Sequence, residues 1–377
     1  MPVLRRGSPS SQVAPKVLLN VTSPYRSRRL VVESDGVTTA AYLRDARDTV
    51  LGAVWIANHR SALPGLDLAR LNAGLAPTMP VTRTKHPQGR PPLDPKTLEV
   101  VWFEEGDGVA VLESGEPLCV LPCWSDMARG IPGYSRDATA QTPFAFPLDE
   151  DLEEFEQRIR QSREYWGWRA DQAAWGGFQQ SALGHLLGRL GPGGYYWHDV
   201  GRGFDGGDAA PVPVVGVSER PPRGDRDFTV LSTIGMSCQR MPTVELYEDD
   251  VSPHARVELA VAVRLPSQRA GSIFPWLAQY PWRSVTWFAP GDVVQWYHEP
   301  RTFPLGSDWA GVLLLDEPGR LAGPLGPDLT GFTVGGDPVR WLWLVPITDE
   351  ERRYAKAEGS DALIRRLARQ GREWVVS

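Results

Sequence analysis

The residues with the clearest potential for chemistry lie in a glycine-rich segment, residues 191–209, which reads GPGGYYWHDVGRGFDGGDA. Its histidine and carboxylates could bind a metal ion or pair a base with an orienting acid: His198, Asp199, Asp205 and Asp208. However, a neighbouring histidine and aspartate do not point at the same atom from an extended backbone. The segment also lacks the order of a phosphate-binding or dinucleotide-binding loop. A flexible surface loop is therefore the favoured interpretation.

The three cysteines favour packing over catalysis. Cys119 and Cys123 are separated by three intervening residues, and Cys238 lies far away in the sequence. A zinc site would need further ligands at suitable spacing, and a redox pair prefers two intervening residues at the start of a helix. Because free cysteine is often buried, we expect Cys119 and Cys123 to pack as small hydrophobic side chains in a β-rich core. So few thiols in a long chain also indicate a reducing compartment.

Other catalytic motifs are absent from the sequence. There is no nucleophile elbow, and the six histidines show none of the paired spacings of zinc hydrolases. We therefore predict a protein that is not an enzyme and that has no catalytic residue, metal or cofactor. The alternative from a different class is a hydrolase or metal enzyme built on residues 191–209.

An acidic run, Glu248-Asp249-Asp250, lies between two apolar segments that resemble strands. Three adjacent acids at this position predict an exposed turn, whose simplest role is solvation. A basic protein partner, such as a nuclease toxin, would meet its charge complement here. These three residues are the candidate partner-binding site.

The composition excludes two classes of protein. The chain has 377 residues, of which 42% are hydrophobic and 23% charged, as in globular proteins. A formal net charge of -6 argues against a nucleic-acid-binding protein with a basic surface. No apolar stretch is long enough for a signal peptide or a membrane span. We expect a cytoplasmic protein without membrane contact.

The pattern of secondary structure predicts an α+β protein in two domains. Residues 1–15 read as a disordered leader, and residues 16–147 as a β-rich domain with a hairpin turn at Asp35-Gly36. From residue 148 onward, two helical segments are followed by strands and two terminal helices. Residues 255–265 alternate almost perfectly, with Arg256 and Glu258 on the face opposite the apolar side chains.

An ordered set of motifs over residues 226–375 resembles the suppressor of fused domain family. It begins with Thr233-Ile234-Gly235-Met236-Ser237 and Met241-Pro242, and continues with the strand at Glu258-Leu259. Trp276-Leu277-Ala278 and the segment Thr286–Asp292 follow, and then the segments GVLLLDEP and WLVPITDEE. No single motif is specific to this family, whereas the order of the motifs along the chain is.

The resemblance implies a C-terminal domain over residues 148–377, in which a mixed sheet is flanked by helices, and it implies protein binding. The animal relative sequesters transcription factors in hedgehog signalling. Bacterial relatives are thought to act mostly as immunity proteins against toxins of polymorphic toxin systems, and this chain lacks the animal protein's C-terminal domain. We therefore expect an immunity protein with a cognate toxin as its partner. The alternative is an adaptor that sequesters an endogenous protein.

Overall fold

The computed structural model describes residues 15–198 and 215–377. They form two compact units. The first comprises the described residues up to Phe103 together with Asp107–Arg163, and the second comprises Glu104–Gly106 together with Glu164–Ser377. The predicted α+β class is confirmed. The leader predicted at residues 1–15 falls almost entirely outside the described residues.

The first unit contains two sheets and is rich in β-structure, as predicted. Its strands are β1 (Lys16–Thr22), β2 (Arg28–Ser34), β3 (Thr38–Asp45), β4 (Val50–Asn58), β5 (Leu98–Trp102), β6 (Val109–Glu113), β7 (Glu116–Leu121), β8 (Tyr134–Ser135) and β9 (Phe146–Pro147), and its short helix is α1 (Leu68–Asn72). The sheets have the orders β1-β2-β3-β4 and β5-β6-β7-β8-β9. Every strand pair is antiparallel except β8 with β9.

The hairpin predicted at Asp35-Gly36 joins β2 to β3. Gly36 has φ +79°, a left-handed conformation that glycine adopts without a steric penalty. The Asp35 carboxylate accepts the backbone N–H groups of Val37 and Thr38 at 2.9 and 3.0 Å. The turn chemistry read from the sequence therefore sets the register of the two strands.

The second unit is organised around one mixed sheet. Its elements, including the helix that begins in the first unit, are α2 (Leu152–Ala170), α3 (Gln172–Leu190), β10 (Tyr196–His198), β11 (Gly216–Arg220), β12 (Thr229–Ile234), β13 (Arg256–Val263), α4 (Ser267–Gly271), α5 (Phe274–Leu277), α6 (Tyr280–Ser284), β14 (Val293–Gln295), β15 (Gly311–Leu315), β16 (Thr333–Val334), β17 (Asp337–Ile347), α7 (Asp349–Glu358) and α8 (Ser360–Arg369). The strand order is β10-β11-β12-β13-β17-β15-β14, and β16 pairs with β17. Strands β13 and β17 are parallel and the other pairs antiparallel, which confirms the predicted mixed sheet.

Two features of the sequence fix the helices around this sheet. Thr348 and Glu351 form the predicted capping box at the start of α7, where each side chain accepts the other residue's backbone N–H. Asp171 caps α3 by accepting the N–H of Ala173, and α3 ends at Gly191. The compact units divide within α2, at residue 163. The domain boundary read from the sequence, at residue 147, stays a prediction.

Both faces of β13 are buried. All eight of its residues are buried, including Arg256 and Glu258, which are 5% and 1% exposed. The strand lies between β12 and β17 near the middle of the sheet. The alternation in the sequence thus separates two kinds of buried environment, one apolar and one polar.

No helix in the described part of the chain is both long and apolar enough to span a membrane.

Candidate protein-binding surface

The acidic turn, Glu248–Asp250, is exposed just before β13. A single 3-10 turn at Val244–Leu246 precedes it, and Thr243 starts that turn with φ +63°. Asp249 and Asp250 are exposed, whereas the Glu248 side chain is 37% exposed and lies 3.8 Å from the imidazole of His254. The exposure predicted from the sequence is present, and the role of these acids in binding stays a prediction.

An aromatic pair adjoins the acidic turn. Tyr247 is 69% exposed and stacks on the half-buried Trp287, with ring centroids 6.1 Å apart. His254 meets the same tryptophan edge to face, with centroids 5.9 Å apart. Leu246, beside the tyrosine, is 44% exposed. Large aromatic side chains that are held in place and solvent-accessible are typical of the anchors of protein interfaces.

Trp287 also lines a groove of about 440 Å³ at the edge of the mixed sheet, here called the edge groove. One side is strand β14, and the other two come from the segment Tyr280–Phe288 and from helix α7. Tyr297, which follows β14, is 74% exposed at the groove. The aromatic pair and the edge groove therefore share one tryptophan and form a continuous surface.

The charges around the edge groove are unevenly compensated. Burial raises the pKa of Asp292, whose carboxylate accepts the N–H of Ala289 at 2.8 Å. Arg352, on α7, donates to Asp349 at 2.8 Å. Lys356, one turn further along α7, is exposed and makes no ion pair with any residue in the described ranges 15–198 and 215–377. The α7 wall thus offers an uncompensated cation.

The segment Thr233–Ser237 is part of the scaffold. It wraps the buried carboxylate of Glu258, which accepts from Thr233 Oγ1 at 2.6 Å, from the N–H of Gly235 at 2.8 Å, and from both N–H and Oγ of Ser237. Burial raises the pKa of Glu258, and these hydrogen bonds act in the opposite direction. The carboxylate is satisfied and inaccessible, so it holds the strand end rather than reacting with a substrate.

A second buried network contains opposite charges. Asp337 accepts from Arg240 and Arg256, each at 2.8 Å, and Arg256 also pairs with Glu104 at 2.9 Å. Burial alone would raise the pKa of Asp337, but the two arginines lower it below its usual value. Burial raises the pKa of Glu104 despite the neighbouring Arg256. Such compensated charges fix the geometry of the strand ends.

None of the three cysteines, all of which lie in the described ranges, forms a disulfide. Cys119 and Cys238 are buried, and burial raises the pKa of each to about 12. Cys123 is partly exposed, so the prediction of a fully buried pair is wrong for this residue. It lies just past the end of β7, where the chain has left the sheet.

These environments predict strong differences in thiol reactivity. Because the thiolate is the nucleophile, Cys119 and Cys238 should react with iodoacetamide at pH 8 at least about 100-fold more slowly than Cys123. Mass spectrometry should find modification at Cys123 in the native protein and at all three cysteines in guanidinium chloride. Rapid native labelling of Cys238 would contradict the burial described here.

The glycine-rich segment is only partly described. Gly191 ends α3, and residues 196–198 form β10, an edge strand that pairs with β11. Asp199, Asp205 and Asp208 lie outside the described residues. The metal or acid–base interpretation of this segment therefore stays untested.

Comparison with known families identifies the C-terminal part of the chain. Residues 209–377 match the family model described as suppressor of fused protein (SUFU). Over these residues the match confirms the resemblance to the suppressor of fused domain family that was read from the sequence. The match begins at residue 209, and the assignment of residues 148–208 to the same domain stays a prediction.

Solved structures give distant similarities to the same family. A putative suppressor of fused homolog from Neisseria gonorrhoeae FA 1090 has 15% identity and a TM-score of 0.38, covering 53% of this chain and 93% of its own. The structure of a Sufu-Fu complex has 14% identity and a TM-score of 0.37, covering 53% of this chain and 90% of its own. None of the curated proteins compared with the chain matches it. The similarity to this family therefore rests on the match over residues 209–377.

Proposed function

We propose that the chain is a non-catalytic protein-binding protein, and that it serves as an immunity protein which neutralises a toxin of a bacterial polymorphic toxin system. One observation carries the proposal: the exposed Tyr247, stacked on Trp287, lies directly beside the acidic turn. A rigid aromatic anchor rimmed by charge is the arrangement that protein interfaces use for affinity and for orientation.

The carboxylates of the second unit favour binding over catalysis. Glu258 has its lone pairs occupied by four hydrogen bonds, and Asp337 is held by two arginines. The acids of the acidic turn are solvated and make no ion pair to an arginine or lysine among the described residues. Surface acids of this kind steer an oppositely charged partner, because long-range attraction raises the encounter rate.

A basic toxin is the partner that fits this surface best. Enzymes that act on nucleic acids carry positive charge at their active sites. An acidic protein that covers such a site gains favourable electrostatics and blocks the substrate's own contacts. The second candidate is an adaptor that binds an endogenous protein through the same surface, which the fold accommodates equally well.

The deciding experiment uses the product of a toxin-like reading frame adjacent to this one. Co-expression of the full chain should restore growth to cells that produce the toxin, and the purified proteins should form a stoichiometric complex. A complex without rescue, formed instead with a host protein, would favour the adaptor. If the purified proteins form no complex and co-expression does not restore growth, the immunity proposal is refuted.

The acidic turn should govern association rather than dissociation. Changing Glu248→Gln, Asp249→Asn and Asp250→Asn together should slow association with a basic toxin by about tenfold at low salt. Because the screening length falls to about 3 Å at about 1 M salt, mutant and native rates should converge there. Stopped-flow or surface plasmon resonance measures both rates.

A matched control separates a local effect from one of net charge. Asp225, Asp308 and Glu150 are exposed acids that belong neither to the acidic turn nor to the lining of the edge groove. Neutralising these three changes the net charge equally and should slow association by less than about twofold at low salt. Equal rates for the acidic-turn variant and the native protein would remove the acidic turn from the binding surface.

A further inference from the structure

Three arginines, here called the arginine cluster, lie at the hairpin that joins β11 to β12. Arg220 ends β11, and Arg223 and Arg226 flank the two-residue turn of the hairpin. The N–H of Arg223 donates to the carbonyl of Arg226 at 2.9 Å, and the reverse bond is 3.1 Å. Residues that exchange both backbone bonds lie directly opposite each other, with their side chains on the same face. Like charges in this position destabilise a hairpin.

The end of helix α3 brings the third arginine to the same place. Arg220 is 3% exposed, and its guanidinium donates to the carbonyls of Gly191 at 2.8 Å and Leu183 at 3.3 Å. Gly191 also lies against Arg223, since a Cβ at this glycine would be 2.1 Å from Arg223 Nη1. The glycine that ends α3 thus leaves room for two guanidiniums beside one backbone position.

The charge of the arginine cluster is not matched by acids. No carboxylate within residues 15–198 and 215–377 forms an ion pair with any of its three members. Of the acids nearest in sequence, Asp227 pairs with Arg264 at 3.1 Å, Glu219 accepts the N–H of Tyr195 at 2.9 Å, and Asp225 is exposed. The carbonyl end of α3 supplies about half a negative charge. The cluster therefore keeps an excess of roughly two positive charges.

Two hydrogen-bond donors of the cluster are also unused. The Nε groups of Arg220 and Arg226 are buried and donate no hydrogen bond within the described part of the chain. Burial lowers the pKa of both arginines, and each has its pKa lowered further by a neighbouring arginine, Arg226 in the first case and Arg223 in the second. Buried donors normally have partners, because an unsatisfied donor costs stability. Concentrated charge and unused donors are together the features of an anion site.

We propose that the arginine cluster binds a phosphate group, which belongs either to a small phosphorylated molecule or to a phosphorylated side chain. A phosphate dianion matches an excess of two charges, whereas a carboxylate supplies one, and guanidinium groups bind phosphate oxygens in pairs. The exposed Arg223 and the half-buried Arg226 contact the phosphate from the solvent side, and the buried Arg220 supplies positive charge behind them. This site is separate from the surface that carries the proposed function.

A nucleic-acid backbone is not the ligand that fits this cluster. Binding along a backbone needs a row of cationic contacts, and its strength grows with their number. The cluster is confined to one hairpin of a chain whose formal net charge is -6. It therefore suits a single phosphate group.

The test titrates sodium phosphate into the full-length chain at about pH 8, where a phosphate group is mainly a dianion. Isothermal titration calorimetry measures the affinity against a background of constant ionic strength. Arg223→Gln and Arg226→Gln should each weaken phosphate binding at least about tenfold, because each removes charge-assisted hydrogen bonds. Arg223 is exposed, so its variant tests the site even if replacement of Arg226 impairs folding.

Stability without phosphate separates a binding role from a structural one. The double variant Arg223→Gln/Arg226→Gln should melt no lower than the native chain in phosphate-free buffer, because it relieves repulsion between opposed like charges. Phosphate should then raise the melting temperature of the native chain and leave that of the double variant unchanged. A double variant that melts lower without phosphate would assign these arginines to the scaffold and overturn the inference.

Two arginines on α8 provide the matched control. Arg365 and Arg369 are exposed, lie one turn apart and form no ion pair among the described residues. Arg365→Gln/Arg369→Gln removes the same charge and should leave phosphate affinity within about twofold of native. An equal loss in the two double variants would mean that net charge alone attracts phosphate, which would refute the site.

The source of the phosphate group is distinguished by two further ligands. A phosphoserine peptide that binds more tightly than inorganic phosphate, with no binding of its unphosphorylated form, identifies a phosphorylated side chain. Adenosine monophosphate that binds more tightly than the peptide identifies a small phosphorylated molecule. Phosphate that gives no more heat than sodium chloride, or that binds native and Arg223→Gln/Arg226→Gln chains equally, would overturn the inference.

Discussion

Replacing Glu258 with alanine should lower the free energy of unfolding by about 3–5 kcal/mol, because it leaves several buried donors without an acceptor and opens a cavity. The carboxylate accepts hydrogen bonds from Thr233, Gly235 and Ser237, all of which are buried. None of these groups can turn to water without opening the sheet. Urea denaturation followed by circular dichroism measures the loss.

Glu258→Gln is the matched control. Its carbonyl can accept from Gly235 and Ser237, so it should cost only about 1 kcal/mol. Alanine and glutamine variants of equal stability would show that the hydrogen bonds do not hold this region together.

The difference in stability between the native protein and Glu258→Gln should depend on pH, because the pKa of Glu258 is raised. Burial is the main cause, so the folded-state pKa lies above the ordinary value of 4.5. Between these two values the folded protein binds more protons than the unfolded chain, and stability declines as pH rises. The difference in unfolding free energy between the native protein and Glu258→Gln should therefore be greatest at and below pH 4.5 and shrink at higher pH. An advantage that grows with pH would contradict this sign.

The sequence predicts the strands better than it predicts the environment of their polar side chains. Alternation over residues 255–265 correctly indicates a strand at β13 and the face on which its apolar residues lie. The same pattern is compatible with a polar face in water. Glu258 is buried because other segments of the chain bring Thr233 and Ser237 to it, and no periodicity within β13 encodes that arrangement.

Tight turns and helix caps are the features that the sequence predicts most accurately. The turn at Asp35-Gly36 and the capping box of Thr348 and Glu351 are present because each is decided within four residues. Their hydrogen bonds depend on the backbone next to them, whereas long-range packing depends on the whole fold. The same reasoning explains why exposure of Asp249 and Asp250 was predictable.

The aromatic part of the candidate surface was not predictable in the same way. Tyr247 and Trp287 are forty residues apart in the sequence, and each is unremarkable in its own segment. Their stacking becomes visible only when the loop before β13 and the loop before β14 are placed together. The sequence signal that points toward Trp287 is its position in the motif Thr286–Asp292, which marks a segment without indicating which of its residues is exposed.

Replacing Trp287 with alanine should weaken partner binding by about 2 kcal/mol or more, a loss of about 30-fold in affinity, because it removes an interface anchor. This side chain supports Tyr247, meets His254 and lines the edge groove. Its loss therefore frees Tyr247 to move and removes apolar area from the groove. The effect should appear mainly as faster dissociation, in contrast to the acidic turn, since anchors act after the encounter. Surface plasmon resonance with the cognate toxin separates the two rates.

Trp175 supplies the comparison for this last variant. It is also half-buried and stacked, on Phe178 with ring centroids 5.6 Å apart, and it lies on α3. Trp175→Ala removes a side chain of equal size and should leave partner dissociation within about twofold of native, since it lies away from the candidate surface. Trp287→Phe should recover part of the affinity because a smaller ring can still stack on Tyr247. If Trp175→Ala and Trp287→Ala speed dissociation equally, the loss reflects general destabilisation; if neither does, the partner binds elsewhere on the chain.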